Sequence, residues 1–181
     1  SAASDVYKRQ DKNTPIEDTF IELSKLKNEG KINSIGCSNF SAHQLRAACI
    51  ASQVDYVQLP INLLSGGLDS DISKICTNNK IKVIAYNILE NGLLSGKLDK
   101  NTNFPENDRR SRLPLFQGSE FINVLNRVEE LKVKAVENNH NLLQYSINWV
   151  LMQKNISSVI VGIKNTEPVS YTHLRAHETN S

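Results

Sequence analysis

From residue 14 onward the apolar positions recur first at helical spacing and then at strand spacing. In "TPIEDTFIELSKLKNEG", Ile16, Phe20, Leu23 and Leu26 fall on one stripe of a helix. Thr14 is placed to cap it, with Pro15 at the first helical position, Glu17 closing a capping box and Gly30 just past the end. "INSIGCSN" (32–39) predicts a short buried strand, and "SAHQLRAACIAS" a second helix with Ser41 and Gln44 as a capping box. "DYVQLPIN" (55–62) predicts a strand that Pro60 ends, since proline has no N–H for the ladder. A helix over 69–79 leads into "KVIAYN" (82–87), an apolar strand of the kind buried on both faces. "SEFINVLNRVEELKVKAVENN" and "NLLQYSINWVLMQK" follow as amphipathic helices, and "SSVIVGI" (157–163) as a last strand. Between them, residues 88–118 carry Gly, Pro and charge without periodicity, and aperiodic stretches of that length inside a compact domain are usually functional loops. Strands alternating with helices predict parallel strands joined by crossover helices, hence an α/β fold.

Composition narrows the function classes. With 181 residues the chain suffices for one domain with a proper core. Its net charge of +2, without a basic run, speaks against nucleic acid as a partner. No apolar run is long enough for a membrane span, and no secretory signal is visible. Cys37, Cys49 and Cys76 are far apart and odd in number, which fits reduced thiols in a cytoplasmic protein better than a disulfide framework or a zinc site.

The run "GKINSIGCSNFSAHQL" resembles the aldo-keto reductase family, where such a run closes the fifth strand of a (β/α)8 barrel. "VQLPINLL", "IAYNILENGLLSGK" with "FPENDRRSRLPLFQG", and "VIVGIKNTEP" match further motifs in the family's order. The resemblance covers nearly all of residues 11–167, and is strongest to the bacterial branch of general-stress reductases and potassium-channel β subunits. It implies strands five to eight of a TIM barrel, with the site at the C-terminal strand ends.

The same resemblance implies a nicotinamide cofactor, NADPH. Ser38 and Asn39 match the pair that hydrogen-bonds the carboxamide, and Gln58 a residue that grips the same amide. Hydroxyl and amide side chains are chemically suited to an amide ligand with both donors and an acceptor. Tyr86 matches the aromatic that stacks on the nicotinamide ring. Asn87, Leu89, Gly92, Leu94, Gly96 and Lys97 lie in the loop that wraps the pyrophosphate, the glycines for close backbone approach and Lys97 for phosphate. Asn87, Ile88 and Leu89 replace the commoner Ser-Pro-Leu there. Gly162 and Lys164 match the site of the 2′-phosphate, where a cation favours NADPH over NADH. The arginines of "DRRSRLP" either reach a phosphate or belong to a solvated loop.

Both ends depart from the family. "SAASDVYKRQ" (1–10) and the segment 169–181 read as translated sequencing-library adapter, leaving 11–168 as the native insert. His173 and His177 are spaced i, i+4 like zinc ligands, but on this reading the spacing comes from a primer, and no metal is expected. The family's catalytic Asp, Tyr, Lys and His would all precede Asp11, so no catalytic residue is expected in this chain. The expectation is therefore the C-terminal half of an oxidoreductase acting on a small carbonyl substrate, inactive alone. The alternative is part of a non-enzymatic NADPH-sensing subunit. A half-barrel module that dimerises is a third reading, which the adapter-set ends oppose.

Overall fold

The computed structural model describes residues 13–162. The expectations for 1–10, Asp11, Lys164 and 169–181, including His173 and His177, lie outside the described residues. The chain divides into two compact units: one holds residues up to Ile61, Gly67–Tyr86 and Gln153–Val159, the other Asn62–Gly66, Asn87–Met152 and the residues from Ile160.

The first unit is built on a parallel sheet in chain order: β1 (Gly36–Ser38), β2 (Tyr56–Pro60), β3 (Lys82–Tyr86) and β4 (Ile156–Val159). Helices α1 (Ile16–Asn28), α2 (Ala42–Ala51) and α3 (Ser70–Asn79) connect or precede the strands. This is the α/β alternation that the hydrophobic pattern predicts. Along β1 to β3 the burial alternates with the two-residue period of a strand. Cys37, Val57, Leu59, Val83 and Ala85 are buried, while Ser38, Tyr56, Gln58, Ile84 and Tyr86 on the opposite face are only partly so. Strands buried on both faces are thus not observed here, contrary to the expectation for 82–87. At Gly36 a Cβ would lie 3.0 Å from the Tyr56 carbonyl oxygen, so the first two strands meet at glycine because nothing larger fits.

Local chemistry sets the element ends. The Ser41–Gln44 capping box forms as predicted, with Gln44 N–H donating to Ser41 Oγ and Ser41 N–H to Gln44 Oε1. At α1 the cap falls on Pro15, not Thr14, and Pro15 has no side-chain acceptor to offer. Of the predicted stripe only Phe20 is buried, and it packs on Phe40 with ring centroids 6.0 Å apart. Gly30 follows the helix with φ +72°, as placed from the sequence. Asp55 joins α1 to the sheet: its carboxylate accepts from Lys27 Nζ at 2.6 Å and from Ile35 N–H at 2.7 Å. Partial burial alone would raise its pKa, but those two donors and the Lys27 charge outweigh that and hold it below the usual carboxylate value. The last strand begins at Ile156, a residue ahead of the predicted start, and ends at Val159. Asn155, in the left-handed region at φ +70°, sets its start by donating from Nδ2 to the Ser73 carbonyl at 3.1 Å.

The second unit packs α4 (Gly118–Glu137) and α5 (Leu142–Leu151) against the segment that precedes them. That segment, aperiodic in sequence, is not an open loop. It forms short turns over Glu90–Ser95, kinked at Asn91 and Gly92, and 3₁₀ turns at Arg109–Arg112 and Pro114–Phe116, and supplies part of the core. Leu93, Leu94 and Phe116 are buried with Phe121, Val124, Leu125 and Val128 of α4 and Leu142 of α5. Phe104 meets Phe116 edge-on, with centroids 5.3 Å apart. Among the described residues no helix is long and apolar enough to cross a membrane.

Candidate functional site

In the first unit, four of the sequence-predicted residues gather at the C-terminal ends of β1, β2 and β3. Register places Ser38 opposite Gln58, and Tyr86 opposite Pro60 two residues further along β2. The Ser38 hydroxyl donates to the Gln58 carbonyl at 3.3 Å, and the Asn39 N–H donates to the same oxygen at 3.0 Å. Asn39 has φ +59°, a left-handed conformation that asparagine tolerates better than most residues and that turns the chain off the strand. The Tyr86 hydroxyl then donates to Asn39 Oδ1 at 2.8 Å, which fixes the ring by its polar end. The result is a polar edge of hydroxyl and amide groups beside a half-buried aromatic ring.

In the second unit, residues 87–97 turn repeatedly at positions of positive φ: Asn87 (+52°), Glu90 (+43°), Asn91 (+52°), Gly92 (+99°) and Gly96 (+71°). At Gly92 the nearest atom to an added Cβ is Arg110 Nη1 at 3.5 Å, so conformation and not space selects glycine there. Gly96 has both reasons, because a Cβ would press within 3.1 Å of Lys132 Cε.

Several backbone donors of the loop expected to wrap the pyrophosphate are engaged inside the segment. Glu90 N–H donates to Asn87 O, Gly92 and Leu94 N–H to Leu89 O, and Gly96 N–H to Leu93 O. Leu94 is wholly buried in the core, and Leu89 packs partly against it, so these two act through packing. Lys97 is exposed and lines an open groove of about 320 Å³ with Asp99, Lys100, Glu129 and Lys132, a lining of mixed charge. Arg110 is committed elsewhere: it grips Asp108 through Nε and Nη2 and lies over the Phe104 ring at 4.4 Å. Arg109 and Arg112 are exposed. Gly162 lies at the end of the described residues, and Lys164 beyond them.

Sequence reasoning missed two residues that hold this segment, Asn62 and Glu90. Asn62, just after β2, is completely buried. Its Nδ2 donates to the Asn87 carbonyl at 3.2 Å and to Glu90 Oε2 at 2.7 Å. Glu90 Oε1 accepts in addition from Asn87 Nδ2 and Asn91 Nδ2. A cluster of Asn around one Glu was the available signal. Among the described residues no group of three His, Cys, Asp or Glu side chains is placed to hold a metal ion.

The chain itself belongs to a known class of protein. A family model described as the aldo/keto reductase family matches residues 6–172, and the chain belongs to that family. It is 33% identical over 161 residues to aldo-keto reductase yakc of Schizosaccharomyces pombe, whose name specifies NADP(+), covering 87% of this chain and 46% of that one. It is 27% identical over 156 residues to the NADH-specific methylglyoxal reductase of Escherichia coli, covering 86% and 47%. Among solved structures, the glycerol dehydrogenase AKR11B4 of Gluconobacter oxydans matches with a TM-score of 0.77 at 33% identity, over 83% of this chain and 46% of that one. The chain spans about half the length of the curated relatives it matches.

Proposed function

We propose that the chain is the C-terminal half of an NADP(H)-dependent aldo-keto reductase barrel and carries the nicotinamide-binding part of the cofactor cradle. The observation that carries this reading is the hydrogen-bonded set of Ser38, Asn39, Gln58 and Tyr86 at one edge of the parallel sheet. Its donor set fits a nicotinamide: side-chain amides and a hydroxyl for the carboxamide, and a ring held in place by its own hydroxyl for the pyridine face. Ser38, Asn39 and Gln58 hold the amide, Tyr86 sets the ring plane, and Lys97 with Lys164 supply positive charge for phosphate. When bound, the cofactor supplies a hydride to an aldehyde or ketone. The proton that completes the alcohol comes from outside this chain, because the family's Asp, Tyr, Lys and His set is expected before Asp11. The chain alone is therefore inactive as a reductase.

The preference for NADPH rests on Lys164, since the relatives named above divide between NADP(+) and NADH. Titration of the chain with each reduced cofactor, followed by nicotinamide fluorescence, tests the reading. NADPH is expected to bind more tightly than NADH. Lys164→Ala should weaken NADPH at least fivefold and leave NADH unchanged, and Tyr86→Ala should weaken both about tenfold. Equal affinity of the wild type and Tyr86→Ala for both cofactors would contradict it.

A further inference from the structure

At Glu90 the segment 87–96 holds its course against the conformational preference of that residue. Asn87, Glu90 and Asn91 all have positive φ, and glutamate is not a residue that adopts it readily. The side chains that offset this come from outside the segment as well as within it. Asn62 is the outside member, 25 residues before Asn87 and 28 before Glu90, and completely buried. Its carboxamide uses both ends: Oδ1 accepts from Leu64 N–H and Ser65 N–H, each at 2.9 Å, while Nδ2 donates to Asn87 O and Glu90 Oε2. The Glu90 carboxylate is an acceptor only, and three amide groups, those of Asn62, Asn87 and Asn91, donate to it. The Asn91 N–H closes the set on Asn87 Oδ1 at 3.0 Å.

We propose that Asn62 and Glu90 form an amide–carboxylate clamp that positions the 87–97 segment for the dinucleotide. The proposal rests on the cofactor reading above and deepens it. The clamp does two things at once. It fixes a backbone course that these residues would not adopt alone, and so presents Lys97 and the Gly92 and Gly96 turns in one conformation. It also holds the Glu90 negative charge on amide donors, away from a ligand whose phosphates would be repelled by it. Neither residue touches the cofactor in this account; both act through the segment.

The polarity of the clamp suggests its test. Asn62→Asp keeps the acceptor for Leu64 and Ser65 but turns the donor facing Glu90 into a second carboxylate oxygen. Glu90→Gln sets an NH2 group where only acceptors are tolerated. Together, N62D and E90Q reverse the donor and the acceptor and restore one hydrogen bond between the two side chains. Amide hydrogen exchange and NADPH titration are to be read on the full chain in all four forms.

Each single variant is expected to lose at least tenfold protection over 87–96, with β3 and α4 unchanged, and to bind NADPH about tenfold more weakly. The double variant should regain part of both, since the bond between the two side chains returns while that to the Asn87 carbonyl stays lost. Glu90→Gln binding NADPH as tightly as the wild type, or more tightly, would overturn the clamp, since a carboxylate that merely repels the cofactor gives that result. A double variant no better than the worse single variant would overturn it too. If Asn62→Asp also strips protection from β3, Glu90→Gln alone decides. A wild type that binds no NADPH, with the exchange pattern as expected, overturns the cofactor reading while supporting the clamp as an ordering device.

Discussion

Three thiols distant in sequence come close together in the first unit, on β1, α2 and α3. Cys37 and Cys76 are buried and Cys49 is half-buried. Burial, and then the neighbouring Cys49 and Cys76, push the Cys37 thiol from its ordinary value of 9.0 to about 12. Burial and Cys49 push Cys76 to about 11, and burial raises Cys49 as well. A thiol whose pKa is raised by folding stays protonated after the unfolded chain has lost its proton. The stability it contributes is complete below the unfolded value and lost as pH rises through the window up to the folded one. The urea midpoint is therefore expected to fall between about pH 9 and pH 11, on the order of 1 kcal/mol per pH unit for each fully shifted thiol. Cys37→Ala should flatten that fall, and a midpoint independent of pH over this range would contradict it. At the same scale, the gathering of Ser38, Asn39, Gln58 and Tyr86 at the strand ends follows from where their motifs fall on the predicted strands. Asn62 was not legible in this way. After a strand, Asn reads as an ordinary turn residue, and its burial depends on partners 25 and 28 residues away.

At the scale of elements, helix starts are local chemistry and follow from a few consecutive residues. The Ser41–Gln44 box needs only its own four residues, and it forms as the sequence indicates. Asn141 and Gln144 form an equivalent box at α5, readable from the same spacing. Ser41→Ala and Asn141→Ala should each cost about 1 kcal/mol, measured as a shift in denaturant midpoint, because each orphans a helix N–H that the side chain now satisfies. A loss below about 0.3 kcal/mol at both sites would show that these helices are ordered by packing alone. The segment 88–118 was legible only as an exception to periodicity. Its first turn is held by side-chain hydrogen bonds with positive φ at Glu90 and Asn91, and its second by the Asp108 carboxylate accepting from Arg110 N–H, and neither leaves a repeating hydrophobic signature. The β4 boundary was misread at both ends, because Ile156 already belongs to the strand while the apolar Ile160 and Val161 lie after it. There an asparagine turn anchored on α3, and not hydrophobicity, decides where pairing begins.

For the whole molecule, the parallel order of four strands and the family match agree with each other, and the chain spans about half the length of its curated relatives. We propose that the acid that protonates the carbonyl oxygen, and the residues that tune it, belong to sequence before Asp11. We propose further that "SAASDVYKRQ" is not the native sequence there. Both claims meet in one measurement: outward amplification from the source DNA, and a reading of the codons that precede Asp11. The account predicts a strand ending in His before Asp11, with Asp, Tyr and Lys further upstream, in one open frame. Source DNA that itself encodes "SAASDVYKRQ" before Asp11 would contradict it.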